Sequence, residues 1–246
     1  MGFPGRPIDG GSNPRFYYFD DDVTRLVKWH PSNQGPKVAY NELVASRLGQ
    51  LIGAPLLRGA VVYVSDQIIP DDHRRDGSRA GFHFGVTRME GDNFIPAQHY
   101  GEIENVSQLP AAAVQLAWLA VGDQEGHNQY LQRKEATGIG GRRTVRFMLV
   151  ATGFAFGGAN WSATALNLPD SYRLPVHMAD KLTVDRLEAS IASLAGLADD
   201  VIRACFSDCP AEWTIVDEDI AAVTEVALRR RDHIRRIIGD GNPQIK

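Results

Sequence analysis

The spacing of apolar positions changes character along the chain. Over residues 15–19 and 24–29 aromatic and β-branched residues dominate, with the acidic turn Asp20-Asp21-Asp22 between them, so the two runs predict a β-hairpin. The stretch 31–36 is rich in breakers and predicts a loop. After it Tyr40, Val44, Leu48, Leu51 and Ile52 recur at helical spacing, which predicts one amphipathic helix closed by Gly53 and Pro55. An apolar β-rich run at 59–64, a charged and breaker-rich segment at 69–81 and a strand-like run at 82–89 complete a region that is mostly sheet with one helix.

Further on the period lengthens. Residues 109–121 are alanine-rich and helical, whereas 130–132 and 145–150 read as paired strands around a loop at 133–143, in which Gly138, Gly140 and Gly141 serve a flexible turn. After Pro175 the pattern is helical to the end, with Leu187, Ile191 and Leu194 on one face and later Ile220, Val223, Ala227, Ile234 and Ile237 on another. Arg229, Arg230, Arg231, Arg235 and Arg236 read as solvated cations in the last turns of their helix, where they complement its dipole. The class is α+β, a sheet-rich first part followed by a mainly helical second part.

Composition narrows the function classes. With 246 residues, 43% of them hydrophobic, the chain is long enough for one large domain or two packed lobes. Its 26 Lys plus Arg against 30 Asp plus Glu give a net charge of -4, which argues against nucleic acid as a partner. Two cysteines, Cys205 and Cys209, are too few for a disulfide framework or a structural zinc site. No apolar run approaches the roughly 20 residues that span a bilayer, and the first residues lack a signal peptide's apolar core, so no membrane is expected and a cytoplasmic location is. His73, His83 and His99 form no metal-ligand spacing, and His233, on its arginine-rich helix, reads as solvated. Trp213 reads as filling a core or a groove.

A sheet lobe with one helix followed by a helical lobe is how kinase-like phosphotransferases are arranged, and the sequence carries motifs to match. Ile8-Asp-Gly-Gly-Ser-Asn-Pro14, Leu26-Val-Lys-Trp29, Gln34-Gly-Pro-Lys37 and Asn41-Glu-Leu-Val-Ala-Ser-Arg-Leu48 stand in the order seen in HipA-like kinases, and with them the chain resembles that family over nearly its whole length. The resemblance implies a bilobal protein-kinase-like fold, with a nucleotide-binding lobe at 1–90 and a helical lobe at 91–246. It also implies ATP as cofactor, a protein hydroxyl as substrate, and a phosphate cradle at Gly10, Gly11 and Ser12, where glycine lets the backbone approach closely. Lys28 matches the family's phosphate-contacting lysine and Glu42 the helix glutamate that orients it. The segment around 86–90 links the lobes, and Asp92 and Asn93 follow at a turn.

The catalytic segment departs from the family's pattern. In Val121-Gly-Asp-Gln-Glu-Gly-His-Asn-Gln-Tyr130, Glu125 replaces the catalytic aspartate, Gly126 the arginine and Tyr130 the metal-binding asparagine, while His127 is kept. Asp123 and Asn128 are the nearest substitute oxygen ligands. In Phe147-Met-Leu-Val-Ala-Thr-Gly-Phe-Ala-Phe156, Ala151 stands where the family's metal-binding aspartate belongs, and no neighbour supplies a carboxylate. Mg²⁺ binding is therefore in doubt. Three readings stay open: a pseudokinase-like ATP-binding module, an active divergent HipA-like protein kinase using Glu125, Asp123 and His127, and a small-molecule phosphotransferase.

Overall fold

Which way each strand residue points settles the architecture of the first part. In the computed structural model, residues 14–75, 77–88, 92–96, 102–122, 129–133, 144–149, 152–242 and 245 are described, with the backbone alone at 92–96, 102, 129–133, 144–145 and 176–177. β1 (Arg15–Tyr18) and β2 (Thr24–Lys28) form the predicted hairpin. The expected helix is α1 (Val38–Leu51), followed by β3 (Gly59–Val64). The segment read as irregular contains a short helix, α2 (Asp71–Arg75), and leads to β4 (Gly81–Thr87).

These strands make an antiparallel four-stranded sheet in the order β1-β2-β4-β3. Val27 lies opposite Gly85, and Val62 opposite His83, so one face gathers Tyr17, Val27, Trp29, Val62 and Val64 with Ile69 into a small core. The alternate residues Phe84 and Val86 face the other way and join α1 in the large core. Lys28 pairs with Phe84 and so stands on the side of α1.

β5 (Asp92–Pro96) and β6 (Glu102–Ile103) come next. Asp92 and Asn93, expected at a turn, instead begin a strand, because β5 finds a ladder partner in a segment far along the chain. α3 (Leu109–Leu119) ends where Ala120 turns left-handed at φ 46°. The predicted strand pair is β7 (Gln129–Arg133) and β8 (Thr144–Leu149), and it belongs to a second four-stranded sheet ordered β5-β7-β8-β6. The Leu149 amide donates to Pro55 O at 2.7 Å, tying this sheet to the connection after α1.

The helical end comprises α4 (Val176–Ala179), α5 (Val184–Ala195), α6 (Asp199–Ala204) and α7 (Asp217–Gly241). Leu187, Ile191, Leu194, Val223, Ala227, Ile234 and Ile237 are buried as their spacing predicts. Small side chains at Ala112, Ala113 and Ala117 let α3 pack deep in this core.

The arginine cluster follows its sequence expectation in part: Arg229, Arg235 and Arg236 are exposed, but Arg230 is not. α7 runs on to Gly241, so Arg229 to Arg231 lie near its middle, and Arg230 is only 4% exposed. Its guanidinium donates to the carbonyls of Trp118 at 2.8 Å, Ala117 at 2.6 Å and Pro169 at 2.5 Å. The first two lie in the last turn of α3, where the helix dipole favours a cation, and the Ala117 carbonyl also accepts the Ala120 amide at 3.3 Å. The dipole expectation thus holds for a different helix from the one that carries the arginine. Burial pushes the Arg230 guanidinium down to about 10. His233 is exposed, as expected.

Trp213 fills the junction between the first sheet and the helical part. It is fully buried, its Nε1 donates to Phe82 O in β4 at 2.8 Å, and its ring lies 5.7 Å from that of His30. His30 N donates to His83 Nδ1 at 2.9 Å, while His83 Nε2 meets Arg79 O at 2.7 Å, which fixes the neutral tautomer protonated on Nε2. Burial holds His83 down at about 4. His73 is buried against Tyr17 of the small core, its Nδ1 3.0 Å from the Tyr17 hydroxyl, and His99 lies outside the described residues. Among the described residues no helix is long and apolar enough to cross a membrane.

Two outcomes are expected. Between pH 6.5 and about 4 the unfolded chain takes up a proton at His83 that the folded chain refuses. Stability is therefore full above that window and falls as pH drops through it, by roughly 3 kcal/mol in denaturant titrations. His83→Asn, whose amide oxygen can replace Nδ1 as acceptor, flattens that fall. Arg230→Met leaves buried carbonyls without donors and lowers stability by about 2–3 kcal/mol at pH 7.

Candidate functional site

α1 is buried around most of its circumference, and Leu51, predicted on its apolar face, is among its few exposed side chains. It lies between the first sheet, α3 and the segment 152–161, so the polar residues it carries must find partners inside the protein. Ser46 accepts from the Gly59 amide at 3.2 Å, and the Ala45 carbonyl receives the Gln115 amide of α3 at 2.8 Å. The consequential residues are Asn41 and Glu42.

Glu42, 4% exposed, meets the Lys28 ammonium, which is 6% exposed, in a direct ion pair through Oε1. Its second oxygen accepts from Thr152 Oγ1 at 2.9 Å. Lys28 reaches it because alternation in β2 turns Val27 into the small core and Lys28 toward the helix. Gly153 completes the approach: a Cβ there would lie 2.9 Å from Val38 Cγ1 and 3.3 Å from Glu42 Oε1. The lysine and glutamate that the sequence singled out are thus together, with a threonine that it did not.

Asn41 binds the same segment from the adjacent position on the helix. Its Nδ2 donates to Gly153 O at 2.7 Å, Gly158 O at 2.9 Å and Ala155 O at 3.1 Å, so its two hydrogens are shared among three carbonyls. Its Oδ1 accepts from Trp161 Nε1 at 3.0 Å. At the start of the helix, Lys37 pairs with Asp219 in the first turn of α7 and lies 4.8 Å over the Trp161 ring. Asp219 also accepts from the Ala163 amide at 2.7 Å. Burial is the largest single influence on Asp219 and acts upward, but the contacts with Lys37 and Ala163 together outweigh it and hold the carboxyl below the usual range. Gly35, at φ 143°, brings the preceding loop against Ala159, where a Cβ would come within 2.6 Å of the alanine's own.

Other predicted site residues fall elsewhere. Gly10, Gly11 and Ser12, the triad of Asp123, Glu125 and His127, and Ala151 lie outside the described residues. Tyr130 is in β7, opposite Pro96 on one side and Met148 on the other. The flanks of these segments are nonetheless fixed: Gly122 N donates to Phe154 O at 3.1 Å, and Gln129 pairs with Leu149. Tyr172, on the approach to α4, donates through its hydroxyl to Val121 O at 2.9 Å. Among the described residues no three His, Cys, Asp or Glu gather as a metal site.

Removing one member of the buried pair tests its weight. Glu42→Ala takes away the charge partner of a buried ammonium and is expected to cost about 3–5 kcal/mol in equilibrium unfolding. Glu42→Gln retains an oxygen for one neighbour and costs less than Glu42→Ala. Equal losses in the two variants would show that the remaining polar contact contributes nothing.

No family sequence model matches the chain, and no curated protein matches it. Solved structures do match. The Helicobacter pylori proinflammatory kinase CtkA superposes with a TM-score of 0.59 at 10% identity, over 100% of this chain and 95% of that one. The Golgi casein kinase, solved with Mn/ADP bound, superposes with a TM-score of 0.53 at 10% identity, over 97% of this chain and 74% of that one. At such identity the likeness speaks for architecture alone. An antiparallel sheet lobe, a buried helix joined to it by a lysine–glutamate pair and a mainly helical lobe agree with it, and the chain has the protein-kinase-like fold.

Proposed function

We propose that this chain is a HipA-like kinase-fold protein that binds ATP through its first lobe and has lost most or all phosphoryl transfer. The observation that carries the reading is the buried Lys28–Glu42 pair, braced by Thr152. An ammonium held in place by a carboxylate is the group that phosphoryl-transfer proteins of this fold set against the nucleotide's phosphates. Gly10, Gly11 and Ser12 supply backbone amides for the same phosphates. The ADP in the Golgi casein kinase structure supports the same ligand class here.

The donor set does not fit Mg²⁺. That ion takes hard oxygen ligands in a tight octahedron, and residues 147–156 contain no carboxylate to offer it. Tyr130 replaces an amide with a phenol, a poor ligand for this ion. Neutralisation of the transferring group by a metal ion is a main support for phosphoryl transfer on this fold, and these substitutions weaken its anchorage. What the chain's own groups do is bind and orient: Lys28 holds phosphate, Glu42 holds Lys28, and Thr152 holds Glu42.

A second reading, an active divergent protein kinase, draws on Glu125, a carboxylate with one methylene more than the family's aspartate. A displacement of about 1 Å in a reacting group costs on the order of 100-fold in rate, which places this reading second.

Thermal unfolding with ATP separates the two. ATP at about 100 times its Kd is expected to add roughly 2.7 kcal/mol to stability, with no further gain from Mg²⁺. Lys28→Met removes the gain. Absence of any ATP-dependent rise in the wild type would overturn nucleotide binding. Transfer of the γ-phosphate to the protein itself or to a partner in the presence of Mg²⁺ or Mn²⁺ would favour the active kinase.

A further inference from the structure

The segment after position 151 has little regular structure to define its course. Phe156 is left-handed at φ 58°, and Gly157 and Gly158 follow at φ 81° and 137°. A run of positive φ that includes a bulky non-glycine residue is intrinsically disfavoured and persists only where surrounding contacts select it. Within the segment, Ala155 N donates to Thr152 O at 2.9 Å and Gly158 N to Ala155 O at 3.2 Å. Four carbonyls of the segment also receive a donor from outside it: that of Phe154 from the Gly122 amide at 3.1 Å, and those of Gly153, Ala155 and Gly158 from Asn41, which thus supplies three of the four.

The amide of Asn41 is itself oriented. Trp161 Nε1 donates to its oxygen, so the opposite edge, the NH₂, is the one turned to the carbonyls. Asn41 is fully buried and sits one residue before Glu42, while Thr152 sits one residue before Gly153, the acceptor of Asn41's 2.7 Å bond. Two neighbouring side chains of α1 therefore grip two neighbouring residues of the segment. The asparagine grips backbone, and the glutamate grips the threonine hydroxyl.

We propose that Asn41 is the positioning residue of the lysine–glutamate site: its amide selects the course of residues 152–158 that offers Thr152 to Glu42, and thereby keeps Lys28 and Glu42 joined before any ligand arrives. The site is preset rather than assembled on binding. Its meaning for nucleotide rests on the function proposed above, whereas its geometry does not.

The test needs no nucleotide. A limiting pulse of an acetylating N-hydroxysuccinimide ester labels lysines in proportion to their freedom, and mass spectrometry compares Lys28 with the exposed Lys181 in the full chain. In Asn41→Ala the Lys28-to-Lys181 ratio is expected to rise about tenfold, as local opening of the pair becomes more frequent. Val44→Ala, a cavity in the buried core of the same helix, serves as the destabilised control and leaves the ratio unchanged. Equal ratios in the two variants would overturn the proposal. Should Asn41→Ala fail to fold, Trp161→Phe, which removes the bond that orients the amide, carries the same comparison: a ratio above that of Val44→Ala supports the proposal, and one equal to it overturns it. A wild type that shows the protected Lys28 but no stabilisation by ATP would end the nucleotide reading and leave the positioning role standing.

Discussion

The structure turns on the burial of one helix that carries polar groups. A helix enclosed by a sheet, a second helix and a loop segment has no water to satisfy its amide and carboxylate, and an unsatisfied buried group costs as much as the best contacts contribute. Asn41 and Glu42 therefore fix what surrounds them. The glutamate requires a cation, which β2 delivers, and a donor, which Thr152 delivers. The asparagine requires acceptors, and the irregular segment, which has carbonyls to spare, supplies them. Local needs that neither element could meet alone are met by packing the two together.

The same helix also joins the two parts of the chain. Lys37, at its entrance, is paired with Asp219 on α7, and Trp213 extends from the helical part to a carbonyl of β4. These contacts are charge-assisted or made by large buried rings, which gives them more weight than surface pairs such as Arg203 with Glu225. The first sheet is consequently held at the start of β4 and at the start of α1, and a single apolar core runs from Phe84 and Val86 through α3 to α7.

Much of this was legible in the sequence where a period or a motif carried it. The hairpin, α1, the strand pair of the second sheet and the apolar faces of α5 and α7 follow from spacing alone. Lys28 and Glu42 were legible because a known arrangement places a strand-end lysine and a helix glutamate at that interval. Thr152 and Asn41 were not identified as partners, since Thr152 is 110 positions from Glu42 and hydroxyls and amides have no period. Asp92 was read as a turn former because a strand's partner in β7 is invisible to local propensity. Arg230 misled for a related reason: five arginines within eight residues look solvated, and nothing in a sequence marks backbone carbonyls as their ligands.

Those carbonyls have a consequence for how the chain can change over time. The clamp of Arg230 on the end of α3, like the grip of Asn41 on residues 153–158, is made to peptide oxygens, which every amino acid carries. Substitution in the gripped segments leaves the acceptors themselves in place, so these bonds do not depend on side-chain chemistry, while packing still constrains size at Gly153, Trp118 and Phe156. Selection on shape and selection on chemistry are thereby uncoupled. A lineage can therefore change polar side chains elsewhere in the chain and still inherit these backbone-held junctions intact.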